Sequence, residues 1–150
     1  MSEKVSKNYI HYNNFSFHMR AHPDVYKKVL DVLSRLPRGV LFDLGAGSGY
    51  TSACLADMGY SVKAYDVNDE QFVPKHIVCA KADLNSPLPE PSQSCQAVLA
   101  LEIIEHLENP QSFLREIARV LMPGGYALLS TPNVSSLPSR LRYLLKEKFT

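Results

Sequence analysis

The stretch Val40-Leu41-Phe42-Asp43-Leu44-Gly45-Ala46-Gly47-Ser48-Gly49-Tyr50 constrains this chain more than any other. Three apolar residues and an acid suit a buried parallel strand that ends at a polar rim. Glycines then stand at alternate positions, and Thr51 to Met58 reads as a helix stopped by Gly59. Strand, glycine turn and helix together form the opening of a Rossmann-like βαβ unit. Without a Cβ at Gly45 and Gly47 the backbone can turn tightly and a ligand can lie against it. The amides that open the following helix favour an anionic or polar group there. An ordinary tight strand-to-helix turn has the same local pattern.

The rest of the chain repeats this alternation. Pro23 and Asp24 open a helix that places Val25, Val29, Val32, Leu33 and Leu36 on one face before Pro37 and Gly39 end it. After the glycine unit, Ser61–Asp66 reads as the second strand. Asp66 lies about 20 residues beyond the glycines, the distance at which a carboxylate accepts both ribose hydroxyls of an adenosine ligand. A loop aspartate capping the next turn is the alternative. Pro74 leaves room only for an abbreviated crossover before the third strand, Ile77–Leu84. Proline and serine between Pro87 and Ser94 mark a surface loop. Gln96–Leu101 is the continuous apolar run of a central parallel strand. A helix with Phe113, Leu114, Ile117, Val120 and Leu121 on one face follows, ended by Pro123-Gly124-Gly125, and Tyr126–Asn133 is the fifth strand and its exit.

The spacing Gly45-x-Gly47-x-Gly49 differs from the G-x-G-x-x-G of dinucleotide folds. With Asp43 two residues ahead, it resembles motif I of the class I S-adenosylmethionine-dependent methyltransferases. Glu102-Ile103-Ile104-Glu105-His106, Leu121-Met122-Pro123-Gly124-Gly125 and Ser130-Thr131-Pro132-Asn133 extend the resemblance over residues 38–133. It implies an α/β, Rossmann-like three-layer sandwich around a mainly parallel five-stranded sheet of order 3-2-1-4-5. The antiparallel hairpin that usually completes a seven-stranded sheet in that family is not among the strands counted to Thr150. It also implies S-adenosylmethionine as cofactor. Gly45, Ala46 and Gly47 are expected beside its methionine and adenosine portions, Asp66 and Val67 at ribose, Asp83 and Leu84 at adenine, and Leu101 and Glu102 nearby. The resemblance also implies that Asp43 organises the loop and reaches the methionine amino group through water. For Asp83 a turn cap is an equal alternative.

The Glu-x-x-Glu-His arrangement is similar to that of ubiquinone-pathway O-methyltransferases and small-RNA 3′-terminal 2′-O-methyltransferases. There the corresponding side chains can hold a divalent ion that activates a hydroxyl. Glu102, Glu105 and His106 are an incomplete set for Mg²⁺, Mn²⁺ or Zn²⁺. A metal is therefore possible here but not favoured. Base or substrate contact by His106 with Glu105 stands beside a structural role for both.

With 150 residues, 45% hydrophobic and 21% charged, the chain is expected to form one soluble domain. A net charge of +1 gives no global case for nucleic acid or an anionic membrane. Cys54, Cys79 and Cys95 lack metal-type spacing and suit buried thiols in a reducing compartment. No apolar run approaches the ~20 residues of a membrane span, and the polar start carries no signal-peptide pattern. The expectation is a cytoplasmic protein without stable membrane insertion. Residues 1–22 read as a polar arm with interspersed aromatics, either flexible and folding over a site or packed as a plain surface leader. Residues 134–149 read as a basic amphipathic segment that docks its leucines on the body or meets a membrane or nucleic acid.

The expected function is methyl transfer to an oxygen or nitrogen of a small-molecule or RNA acceptor. A cofactor-binding or interaction module without an acceptor site is the alternative. A nicotinamide-dependent oxidoreductase is a weaker one, because the glycine spacing is wrong and no Tyr-x-x-x-Lys occurs.

Overall fold

The computed structural model describes residues 4–6 and 8–132. The basic segment 134–150 and the end of the fifth predicted strand at Asn133 lie outside them. Among the described residues, eight strands and three α-helices follow in the order β1 (Lys4–Ser6), β2 (Tyr9–Tyr12), β3 (Phe15–His18), α1 (Pro23–Ser34), β4 (Val40–Leu44), α2 (Tyr50–Asp57), β5 (Ser61–Asp66), β6 (Cys79–Lys81), β7 (Cys95–Leu101), α3 (Pro110–Val120) and β8 (Leu121–Ser130).

β4 to β8 form one parallel sheet of order β6-β5-β4-β7-β8, the predicted 3-2-1-4-5. Its central strands, β4 and β7, are buried on both faces, and the period of two sorts their side chains. Leu41, Ala97, Leu99 and Leu101 join one apolar cluster with Leu33 of α1 and Leu55 of α2. Phe42, Leu44, Val98 and Ala100 join the other with Phe113, Ile117 and Val120 of α3. Helices thus cover both faces of the sheet, the three-layer arrangement expected of alternating strands and helices.

The N-terminal arm is built of strands over its described residues. β1, β2 and β3 form a separate antiparallel meander. Asn13 and Asn14, at φ 48° and 67°, make the tight turn between β2 and β3, as a two-residue hairpin loop requires. Its inward residues Ile10 and Phe17 are 2% and 1% exposed and belong to the core cluster of α1 and α2. Tyr50 packs edge-on against Tyr12, Phe17 and Tyr26. Asp57, the last residue of α2, accepts hydrogen bonds from the Tyr12 hydroxyl at 2.7 Å and the Asn13 amide at 2.8 Å. With sheet on one side and meander on the other, every α2 residue from Tyr50 to Leu55 is buried. This is why the helix carries apolar and small residues all round.

Two boundaries also differ. The third parallel strand is confined to Cys79–Lys81 because the chain turns back at Asp83, whose carbonyl accepts from Ser86 N–H at 3.0 Å. The last helix stops at Val120 and not beyond Leu121, where the backbone is already extended. Cys95 pairs with Leu121 and Ala97 with Tyr126, so Pro123-Gly124-Gly125 sits inside β8 as an irregularity and not as a loop ahead of it.

Candidate functional site

The carboxyl ends of β4, β5 and β7 meet where the strand order reverses, the crevice in which open parallel sheets bind ligands. A cleft of about 550 Å³ opens there. Its floor is the turn after β4. Gly45 and Gly47 have φ of 76° and 57°, the left-handed region that glycine enters without cost. Gly45 N–H and Ala46 N–H donate to the Tyr65 carbonyl at 2.8 and 3.1 Å, so β5 pins the turn from behind.

Asp66 ends β5, 8% exposed, at one wall of this cleft. Its Oδ2 accepts from Gly47 N–H at 2.7 Å, and its Oδ1 accepts from Asn68 N–H at 2.9 Å and from Gln71 Nε2 at 3.4 Å. A carboxylate has about four acceptor sites, so one remains for a ligand, and a displaced Gln71 would free another. Val67, 67% exposed, stands beside it on the same wall. Leu101, Glu102, Glu105 and His106 line the wall formed by β7 and its exit. Glu102 has φ 54°, an uncommon conformation for a residue with a Cβ. Ile104–His106 then form a single 3₁₀ turn. Glu105 Oε1 and His106 Nε2 are 4.0 Å apart, with the imidazole exposed to solvent.

Asp43 and Ala46 lie behind the cleft, on a small void of about 20 Å³ that shares Arg20, Gly45 and Leu101 with it. Asp43 is on the α2 side of β4, where its Oδ2 accepts from Thr51 Oγ1 at 3.1 Å and Ser52 Oγ at 2.6 Å. Burial raises its pKa to about 6; the two hydroxyls oppose the shift and the Asp66 charge adds to it. Burial, with the charges of Asp66, Asp69 and Asp43, raises the Cys79 thiol to about 11.

Asp83 and Leu84 are not brought to the cleft lining. Asp83 is exposed and its Oδ1 accepts from Asn85 N–H at 3.0 Å, closing a local turn. Leu84 packs against the α3 cluster. Among the described residues no group of three or more His, Cys, Asp or Glu side chains is placed to hold a metal ion. Glu102 bonds Ser130 instead of converging with Glu105 and His106, so these residues as placed do not fit a metal centre.

Sequence reasoning missed Arg20, Asn68, Gln71, Ile103 and Pro132, which also line the cleft. Arg20 reaches the site because Ser48 Oγ donates to the His18 carbonyl at 3.0 Å and the Tyr26 hydroxyl accepts from Arg20 N–H at 2.9 Å. Its guanidinium donates to Gln71 Oε1 at 3.1 Å across the mouth. No periodicity in a polar leader signals such a tie.

Comparison with known proteins agrees with this geometry. A family profile described as a methyltransferase domain matches residues 42–129, more than half the chain. A protein of Mycolicibacterium smegmatis named "Probable S-adenosylmethionine-dependent methyltransferase" is 30% identical over 122 residues, covering 79% of this chain and 46% of its own length. The ubiquinone biosynthesis O-methyltransferase of a Caulobacter species is 30% identical over 102 residues, 62% of this chain and 40% of that protein. The chain thus spans less than half the length of these relatives. In fold it resembles the crystal structure of an S-adenosylmethionine-dependent methyltransferase from Mesorhizobium loti, with a TM-score of 0.60 at 24% identity over 69% of this chain and 52% of that one. Sheet order, glycine turn and profile match agree: the chain belongs to the methyltransferase-domain family of class I S-adenosylmethionine-dependent methyltransferases.

Proposed function

We propose that this chain binds S-adenosylmethionine in the cleft and directs its methyl group to an oxygen or nitrogen acceptor. The observation that carries the reading is Asp66. A buried carboxylate, oriented by Gly47 N–H and Asn68 N–H, faces a cleft floored by glycine. Such a group takes ribose hydroxyl donors, and the bare Gly45–Gly47 backbone takes the extended methionyl and adenosyl body. Val67 and Leu101 offer apolar walls to the nucleoside. Asp43 and Ala46 support the methionine end from behind. The Asp66 carboxylate on the wall offers a charge partner to a cationic ligand. Assignment of Asp83 and Leu84 to adenine rests on family resemblance alone, as both stand outside the lining.

When bound, the cofactor supplies an electrophilic methyl carried on a sulfonium, whose transfer leaves a neutral thioether. The chain's own residues then chiefly position donor and acceptor. An acceptor O–H or N–H must also lose its proton. His106, exposed on the mouth wall with Glu105 beside it, can receive that proton. The acceptor is a small molecule or an RNA group that approaches past these two residues.

Calorimetric titration with S-adenosylhomocysteine, with NADH as control, tests the reading. Micromolar binding selective over NADH is expected. Asp66→Ala is expected to weaken it by about 1.5–3 kcal/mol, the value of a hydrogen bond to a charged group. Equal affinity of the two proteins would remove Asp66 from the ribose.

A further inference from the structure

Ser130, the last residue of β8, is bonded to Glu102 of the cleft wall. Leu101 and Ser130 are register partners across β7 and β8. One residue further on, Glu102 N–H donates to the Ser130 carbonyl at 3.1 Å and to its Oγ at 3.2 Å. The Ser130 hydroxyl in turn donates to Glu102 Oε1 at 2.6 Å, the length of a charge-assisted bond. Among the described residues this is the one hydrogen bond the Glu102 carboxylate makes. Serine therefore engages both ends of a residue whose φ of 54° is unfavourable for a glutamate.

That φ decides where the next four residues go. It turns the chain out of β7 so that Ile103 lies over the glycine turn: a Cβ on Gly45 would stand 2.1 Å from Ile103 Cδ1. His106 N–H then closes onto the Ile103 carbonyl at 2.9 Å, which presents Glu105 and His106 on the cleft wall. We infer that Ser130 is a positioning residue, whose hydroxyl holds Glu102 in the left-handed conformation and so sets the 102–106 wall of the cleft. Strained conformations persist where the surroundings over-determine them, and here one hydroxyl supplies two of the restraints. The consequence for ligand affinity rests on the cofactor reading above; the conformational tie does not.

The test uses the full chain with Ser130→Ala, Ser130→Thr, Glu102→Gly and the Ser130→Ala/Glu102→Gly pair. Amide hydrogen exchange and S-adenosylhomocysteine affinity are read for each. In Ser130→Ala, exchange at Glu102 and His106 is expected to rise about tenfold or more while Leu99 in the sheet centre is unchanged. Affinity is expected to fall about tenfold, and Ser130→Thr, which keeps the hydroxyl, to restore both. Glycine takes φ > 0 freely, so removal of the hydroxyl from Glu102→Gly should change neither exchange at His106 nor affinity, a non-additivity that a general packing role would not produce. Wild-type exchange and affinity in Ser130→Ala, or losses at His106 and in affinity that multiply in the pair, would overturn the inference. If Ser130→Ala does not fold, a folded pair variant supports the coupling and an unfolded one overturns it. A wild-type chain that binds no S-adenosylhomocysteine, yet loses exchange protection at Glu102 and His106 in Ser130→Ala, would refute the cofactor reading and leave the tie standing.

Discussion

Asp43 shows how one residue carries structure and charge at once. It must be polar to bond Thr51 and Ser52 of α2, yet it lies in the sheet core at 2% exposure. Its folded pKa of about 6 stands above the ordinary 3.8. Between those values the native state holds a proton that the unfolded chain has released, so stability falls as pH rises through that window. The loss is on the order of 2–3 kcal/mol, complete near neutrality. Urea unfolding of wild type and Asp43→Asn from pH 4 to 7 should show the wild type losing ground by that order, because asparagine does not titrate. Parallel pH profiles would mean that Asp43 titrates normally. Gly45 is constrained differently. Both its φ of 76° and the Ile103 side chain forbid a Cβ there. Gly45→Ala should cost at least about 1–2 kcal/mol from backbone conformation alone, with overlap adding more, measured as a fall in unfolding free energy.

Among the elements, the meander is the one whose sequence hid its structure. Each of β2 and β3 has four residues and a single fully buried one, Ile10 or Phe17, which is too short a pattern to separate from a polar leader. Its stability comes from distant partners, Tyr50 and Asp57, that no local window contains. Phe17→Ala should therefore destabilise the whole fold by about 3–5 kcal/mol, as loss of a buried phenylalanine does. A loss under about 1 kcal/mol would mean that the meander is not part of the core. β4, β7 and α3 are the opposite case. Long apolar or strongly periodic segments declare their state, since burial on both faces or on one stripe leaves few alternatives. The β6 boundary was obscured because Ile77–Leu84 stays largely apolar through a turn that Asp83 and Asn85 close with polar bonds. Pro123-Gly124-Gly125 was misplaced because the same residues serve a loop or an irregular strand.

For the molecule as a whole, the sheet order brings residues from four separate regions, Arg20, Gly47, Asp66 and Glu102, to one cleft. The glycine turn and Asp66 could be read in advance because their spacing reflects strand and helix lengths. Arg20, Gln71 and Ile103 could not, since tertiary packing alone aims them inward. A ligand that binds only this assembled form stabilises it by mass action. S-adenosylhomocysteine at a hundredfold excess over its Kd should add about 2.7 kcal/mol and raise Tm by about 5–10 °C in a thermal scan. NADH should leave Tm in place. The chain has eight tyrosines and no tryptophan. The edge-to-face cluster of Tyr12, Tyr26 and Tyr50 with Phe17 therefore gives the protein an optical signature of its own. Near-ultraviolet dichroism, with no indole to mask the phenols, becomes a direct gauge of whether the first strands have seated.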